Sequence, residues 1–133
     1  MISEQMIERS ELVLRNGKVS VPVRMPWYRA LPMSSVEDME IQIDGHDIDQ
    51  ASINWTVEGR TYSRTELAES WQNWWFPTDT AYMTGDLPAG FTPGAEANVT
   101  IRLGLYIPYI NAGAGILKIV EKDSKTLPVR SEN

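Results

Sequence analysis

The sequence predicts an all-β fold: an antiparallel β-sandwich, jelly-roll or immunoglobulin-like, of about eight strands with one short helix. Three observations lead there. Apolar and polar residues alternate with period two along much of the chain, glycine-bearing turn pairs separate the alternating runs, and helical spacing is confined to one stretch. Period two belongs to a half-buried strand, because successive side chains leave opposite faces of the pleat.

The elements follow in chain order. Residues 12–15 and 19–24 flank Asn16-Gly17 and read as a hairpin, since a tight two-residue turn needs positive φ at both central positions. In residues 38–44, Met39, Ile41 and Ile43 share one face while Glu40 and Gln42 share the other, and Asp44-Gly45 closes the run. Residues 53–58 repeat the device with Ile53, Trp55 and Val57 inward, and Glu58-Gly59 turns the chain into a short strand at 60–63. The spacing of Leu67, Trp71, Trp74 and Trp75 predicts a helix of one or two turns over 65–75, capped by Ser63 or Thr65. A strand at 81–84 follows. The longest alternation then runs over 99–107, with Val99, Ile101, Leu103, Leu105 and Ile107 on one face. A last strand is expected at 116–121, and a frayed tail after about residue 125. Length, and the lack of any repeat or linker, make 1–133 a single domain large enough for its own core.

Composition narrows the function. A net charge of −6, with Lys and Arg scattered singly, speaks against nucleic acid, whose phosphates call for a basic face. No apolar run approaches the length of a membrane span, and the acidic N-terminus lacks the pattern of a secretion signal, so a cytoplasmic protein is expected. The absence of cysteine removes disulfides, thiolate metal sites and cysteine nucleophiles.

The inventory for catalysis is thin. His46 is the single histidine and lies in Asp44-Gly45-His46-Asp47-Ile48-Asp49, an acidic run that does not complete the spacing of a calcium loop. An acidic turn with an exposed histidine is the plainer reading, although a cation at Asp44–Asp49 stays open. Asp38 and Glu40 stand on one strand face at a separation an inverting glycosidase could use, but any polar strand face offers such pairs. No catalytic residue and no metal ligand is assigned.

The aromatic residues are more informative. Trp27 and Tyr28 precede Arg29 between Pro26 and Pro32; Trp71, Trp74, Trp75 and Phe76 precede Pro77; Tyr106 and Tyr109 flank Pro108. Three such clusters exceed what a small sandwich needs for its core, and Trp, Tyr and Arg are the residues that anchor interfaces. Ring-capped sandwich ends, docking to a partner chain and stacking on sugars are the available readings. The expected interface anchors are Trp27, Tyr28 and Arg29, then Trp74, Trp75 and Tyr109.

The run from Pro26 through Arg29-Ala30-Leu31-Pro32-Met33-Ser34 into Val36-Glu37-Asp38 and Asp44-Gly45 resembles the C-glycoside deglycosidase beta subunit family. Val57-Glu58-Gly59-Arg60-Thr61-Tyr62, the Trp-rich segment after it, Pro93-Gly94 and Tyr106-Ile107-Pro108-Tyr109 are similar to that family in order and spacing. The resemblance implies a non-catalytic small subunit, in a heterodimer or higher oligomer, of an enzyme whose TIM-barrel alpha subunit holds a divalent metal, expected to be Mn²⁺. It implies a lyase-type cleavage of the C–C bond between a 3-oxo-glucose and a flavonoid-type aglycone, giving 1,5-anhydro-D-erythro-hex-1-en-3-ulose. No cofactor is expected on this chain. The alternative is a freestanding carbohydrate-binding β-sandwich module, which would present its aromatics on one flat face.

Overall fold

The computed structural model describes residues 6–25, 29–111 and 116–132. Eleven strands and one α-helix follow in order: β1 (Leu12–Arg15), β2 (Lys18–Val23), β3 (Leu31–Pro32), β4 (Val36–Ile43), β5 (His46–Asp47), β6 (Asn54–Val57), β7 (Arg60–Tyr62), α1 (Arg64–Glu69), β8 (Trp74–Trp75), β9 (Ala81–Asp86), β10 (Glu96–Asn111) and β11 (Ile116–Glu132). The expected all-β class holds. The strands beyond those anticipated are mainly two-residue pairings, β3, β5 and β8, too short to show a period in sequence.

Nine strands form one mixed sheet in the order β5-β4-β10-β11-β1-β2-β9-β6-β7, and β3 pairs with β8 separately. Every pairing in the large sheet is antiparallel except β1 with β11, where Leu12 to Arg15 run parallel to Val129 to Glu132. β11 therefore serves two neighbours. Residues as far as Pro128 pair with β10, and Val129 to Glu132 pair with β1. The expected frayed tail is corrected: residues 126–132 are strand, tied first to β10 through Pro128 and then to β1 from Val129 to Glu132.

The alternation seen in sequence is the alternation seen in burial. Val99, Ile101, Leu103, Leu105 and Ile107 are all fully buried, as are Val19, Val21 and Val23 on β2. Side chains from β2, β4, β6, β9 and β10 join one apolar cluster. Each fully buried aliphatic side chain contributes roughly 1.5–3 kcal/mol relative to exposure. This cluster holds the two halves of the sheet together without a disulfide.

Three turns carry the backbone that their sequences demand. Asn16-Gly17, Asp44-Gly45 and Glu58-Gly59 all have positive φ at both positions, from 47° to 83°, matching hairpins with two-residue loops. The helix differs from expectation. It stops at Glu69 instead of reaching Trp75, because Ser70 turns its hydroxyl back to the Glu66 carbonyl at 2.5 Å and leaves helical geometry.

Candidate interaction surface

The chain enters α1 through a reciprocal cap: Ser63 Oγ accepts from the Glu66 N–H, and Glu66 Oε1 accepts from the Ser63 N–H, both at 3.1 Å. Leu67 is the buried residue of this helix. Ending the helix at Glu69 frees the following tryptophans from a shared helical face. Ser34 and Met33 then hold the segment, donating backbone N–H groups to the Ser70 and Asn73 carbonyls at 3.2 and 2.7 Å. The β3–β8 ladder sets Leu31 opposite Trp75 and Pro32 opposite Trp74.

Strand geometry at β8 sends the two tryptophans opposite ways. Trp74 is 48% exposed, whereas Trp75 is wholly buried. Trp75 packs edge-on to Trp55 with ring centroids 4.8 Å apart, and its Nε1–H donates to the Asp79 carbonyl at 3.1 Å. The expected role of Trp75 as an interface anchor is thus corrected: a ring with no exposed area in this protomer has nothing to offer a second chain. Trp71 and Phe76 stand outside with 66% and 49% exposure. Phe76 is fixed by the Asp79 turn, in which its N–H meets Asp79 Oδ2 and its carbonyl accepts from the Asp79 N–H.

A groove of about 390 Å³ lies between this segment and the β6–β7 hairpin, lined by Met33, Val57, Glu58, Arg60, Tyr62, Trp74 and Phe76 among others. Arg60 stacks over the Tyr62 ring at 4.8 Å from its centroid. Exposed rings on a pinned backbone lose little entropy when covered, which suits an interface. Of the remaining expected anchors, Arg29 is exposed on the approach to β3. Trp27 and Tyr28 lie outside the described residues, and so does the side chain of Tyr109.

The acidic candidates resolve into structural roles. A register shift in the β4–β10 ladder sets Asp38 and Met39 against Leu103 alone, and Asp38 adopts φ 51° within this bulge. Its carboxylate is ion-paired with Lys118, whose ammonium also lies 5.3 Å from the Tyr106 ring centroid. The hydrogen bond from Lys118 holds the Asp38 carboxyl below its ordinary value, and the same bond raises Lys118. Glu40 pairs instead with Arg102 at 2.9 Å, so the two carboxylates of the strand face are each engaged by their own cation.

Around the acidic turn, Asp44 accepts the Asn98 N–H, Asp47 accepts Gln42 Nε2–H, and Asp49 accepts the Ala51 N–H. His46 packs on Phe91 with centroids 4.5 Å apart. Among the described residues no three His, Cys, Asp or Glu side chains stand together as a metal site, and no helix is long and apolar enough to cross a membrane.

Sequence reasoning missed one buried pair. Asp123 and Lys125 face inward from β11 with side chains 5% and 7% exposed, bound to one another, and Asp123 Oδ2 accepts the Ile7 N–H at 2.8 Å. Extending the alternation to Leu127, which is buried too, would have found them. Charge at inward positions masked the strand.

A sequence model of the family described as C-glycoside deglycosidase beta subunit matches residues 3–109. A C-glycoside deglycosidase beta subunit of Arthrobacter globiformis is 41% identical over 132 residues, covering 99% of this chain and all of that protein. One from Microbacterium trichothecenolyticum is 41% identical over 128 residues, covering 96% of each. A 3'-dehydrocarminate deglycosidase beta subunit from a Microbacterium species is 29% identical over 130 residues, 98% of this chain and 97% of the relative. The motif order that suggested this resemblance is therefore matched along nearly the whole length.

Proposed function

The chain belongs to the C-glycoside deglycosidase beta subunit family, and from that premise we propose that it is the small, non-catalytic subunit of a heteromeric enzyme. The exposed aromatic segment carries this reading. Trp71, Trp74 and Phe76 are held in the open by hydrogen-bonded backbone, an arrangement that suits permanent cover by a larger chain. Arg29 and Trp74 are the proposed anchors within the described residues, joined by Trp27, Tyr28 and Tyr109.

In this proposal the large subunit is a TIM barrel that owns the reactive centre, and the substrate is a 3-oxo-C-glucoside of a flavonoid-type aglycone. The 3-oxo group acidifies the C2 proton, which a base on the partner removes. The electron pair left behind forms the C1–C2 double bond as the C1–aryl bond breaks, and the departing ring carbon accepts a proton. Free aglycone and 1,5-anhydro-D-erythro-hex-1-en-3-ulose result. A divalent metal ion on the partner, by this reading Mn²⁺, would supply positive charge at the C3 oxygen. This chain contributes by stabilising that partner and bounding its pocket.

Co-expression is the test. The two chains should copurify and cleave a 3-oxo-C-glucoside, while either alone shows little turnover. Full turnover by the large chain in the absence of this one would remove the proposed role.

A further inference from the structure

β7 is the terminal strand of the nine-stranded sheet, so among the described residues no strand lies on its outer side. Its pairing with β6 sets Val57 against Arg60 across the two-residue turn, then Thr56 against Thr61, then Trp55 against Tyr62. In an antiparallel ladder, hydrogen-bonded and non-hydrogen-bonded pairs alternate, and the pair closing a two-residue turn is hydrogen-bonded. Thr61 therefore falls in a non-hydrogen-bonded pair. Its N–H and C=O point away from β6, toward the open side, and the residue is exposed.

The aromatic groove reaches this strand, with Arg60 and Tyr62 of β7, Trp74 and Phe76 among its lining residues. An extended backbone donor and acceptor next to a ring-lined recess is the recognition pattern of strand addition. There, main-chain hydrogen bonds supply attachment and a pocket selects one side chain. A sugar ring could stack on Trp74, but it would leave the Thr61 pair unmatched; an extended polypeptide satisfies both.

We propose that a short extended segment of the large partner subunit adds to the outer edge of β7, hydrogen-bonding Thr61 and seating one large apolar side chain between Trp74 and Phe76. This rests on the heteromer reading above. With only three residues in β7, the side chain in the groove carries most of the affinity and the backbone fixes register.

Hydrogen exchange in the copurified heteromer tests it. The Thr61 amide should exchange roughly tenfold or more slower than in the isolated chain. Thr61→Pro removes the outward N–H at an edge position that tolerates proline; it should fold by near-ultraviolet circular dichroism yet bind the partner roughly tenfold more weakly. Thr61→Ala keeps the N–H and should bind as wild type, and Trp74→Ala should weaken association at least as much as Thr61→Pro. A heteromer that forms with Thr61 unprotected and Trp74→Ala binding normally overturns the inference while leaving the subunit reading standing. Failure to find any heteromer overturns that reading instead. Protection of Thr61 by self-association, or by methyl β-D-glucopyranoside, also overturns the inference.

Discussion

Trp74 and Trp75 are adjacent in sequence and opposite in consequence. Trp75→Ala empties a core position against Trp55 and should cost about 3–5 kcal/mol of stability in chemical denaturation. Trp74→Ala removes a half-exposed ring and should leave the stability of the isolated chain within about 1 kcal/mol. Equal losses at the two sites would mean that Trp74 is also part of the core. At Asp38 the expectation concerns pH. Its folded carboxyl is depressed by Lys118, so its stabilising contribution is present above the ordinary carboxylate range near about 4 and is lost as pH falls through the depressed value. Lys118 is raised, and its share is present below its ordinary range and lost only as strongly alkaline pH passes the raised value. Asp38→Asn should therefore melt below wild type at neutral pH and converge with it in acid; a pH-independent gap would assign the loss to the bulge instead. Gly104 lies beneath this pair, where an added Cβ would come within 3.1 Å of Asp38 Oδ2 and 3.2 Å of Lys118 Cε. The inward set on β10 was legible because alternation reports a face directly. The bulge was not, because Asp38 acquires its positive φ from a mismatch with a strand more than sixty residues away.

At the level of elements, the hairpins were the most legible parts, since Asn16-Gly17, Asp44-Gly45 and Glu58-Gly59 encode their turns locally. The ends of two elements differ from the sequence pattern for physical reasons. Tryptophans at helical spacing imitate one helical face as far as Trp75, whereas the Ser70 hydroxyl ends the helix at Glu69. The full length of β11 is hidden in the sequence because Asp123 and Lys125 occupy inward positions that an alternating strand usually gives to apolar residues. Truncation after Lys125 tests the corrected picture. It deletes the whole β1–β11 pairing and buried Leu127, and should lower the thermal midpoint by many degrees or prevent folding. A truncated chain melting like the full one would restore the frayed tail.

For the molecule as a whole, three of the exposed rings, Trp71, Trp74 and Phe76, fall in one segment. The outer face of β4, β10 and β11 carries Glu40, Arg102, Thr100, Ser124 and Asn98, joined by one ion pair and by hydroxyl contacts and suited to water. The rings gather between α1 and β9. Expressed alone, the chain should give a lower soluble yield than with its partner, and sedimentation should show concentration-dependent association through the ring-bearing end; a monodisperse, freely soluble monomer would argue against a surface evolved for cover. The parallel pairing of β1 with β11 also constrains biosynthesis. A ribosome makes β1 long before residues 129–132, so the nascent protein must carry β1 and β2 with one edge unfilled until the end of β11 has emerged. Closure is thus a long-range event, and a chaperone or a partner subunit would find that unfinished seam before any solvent-exposed ring mattered.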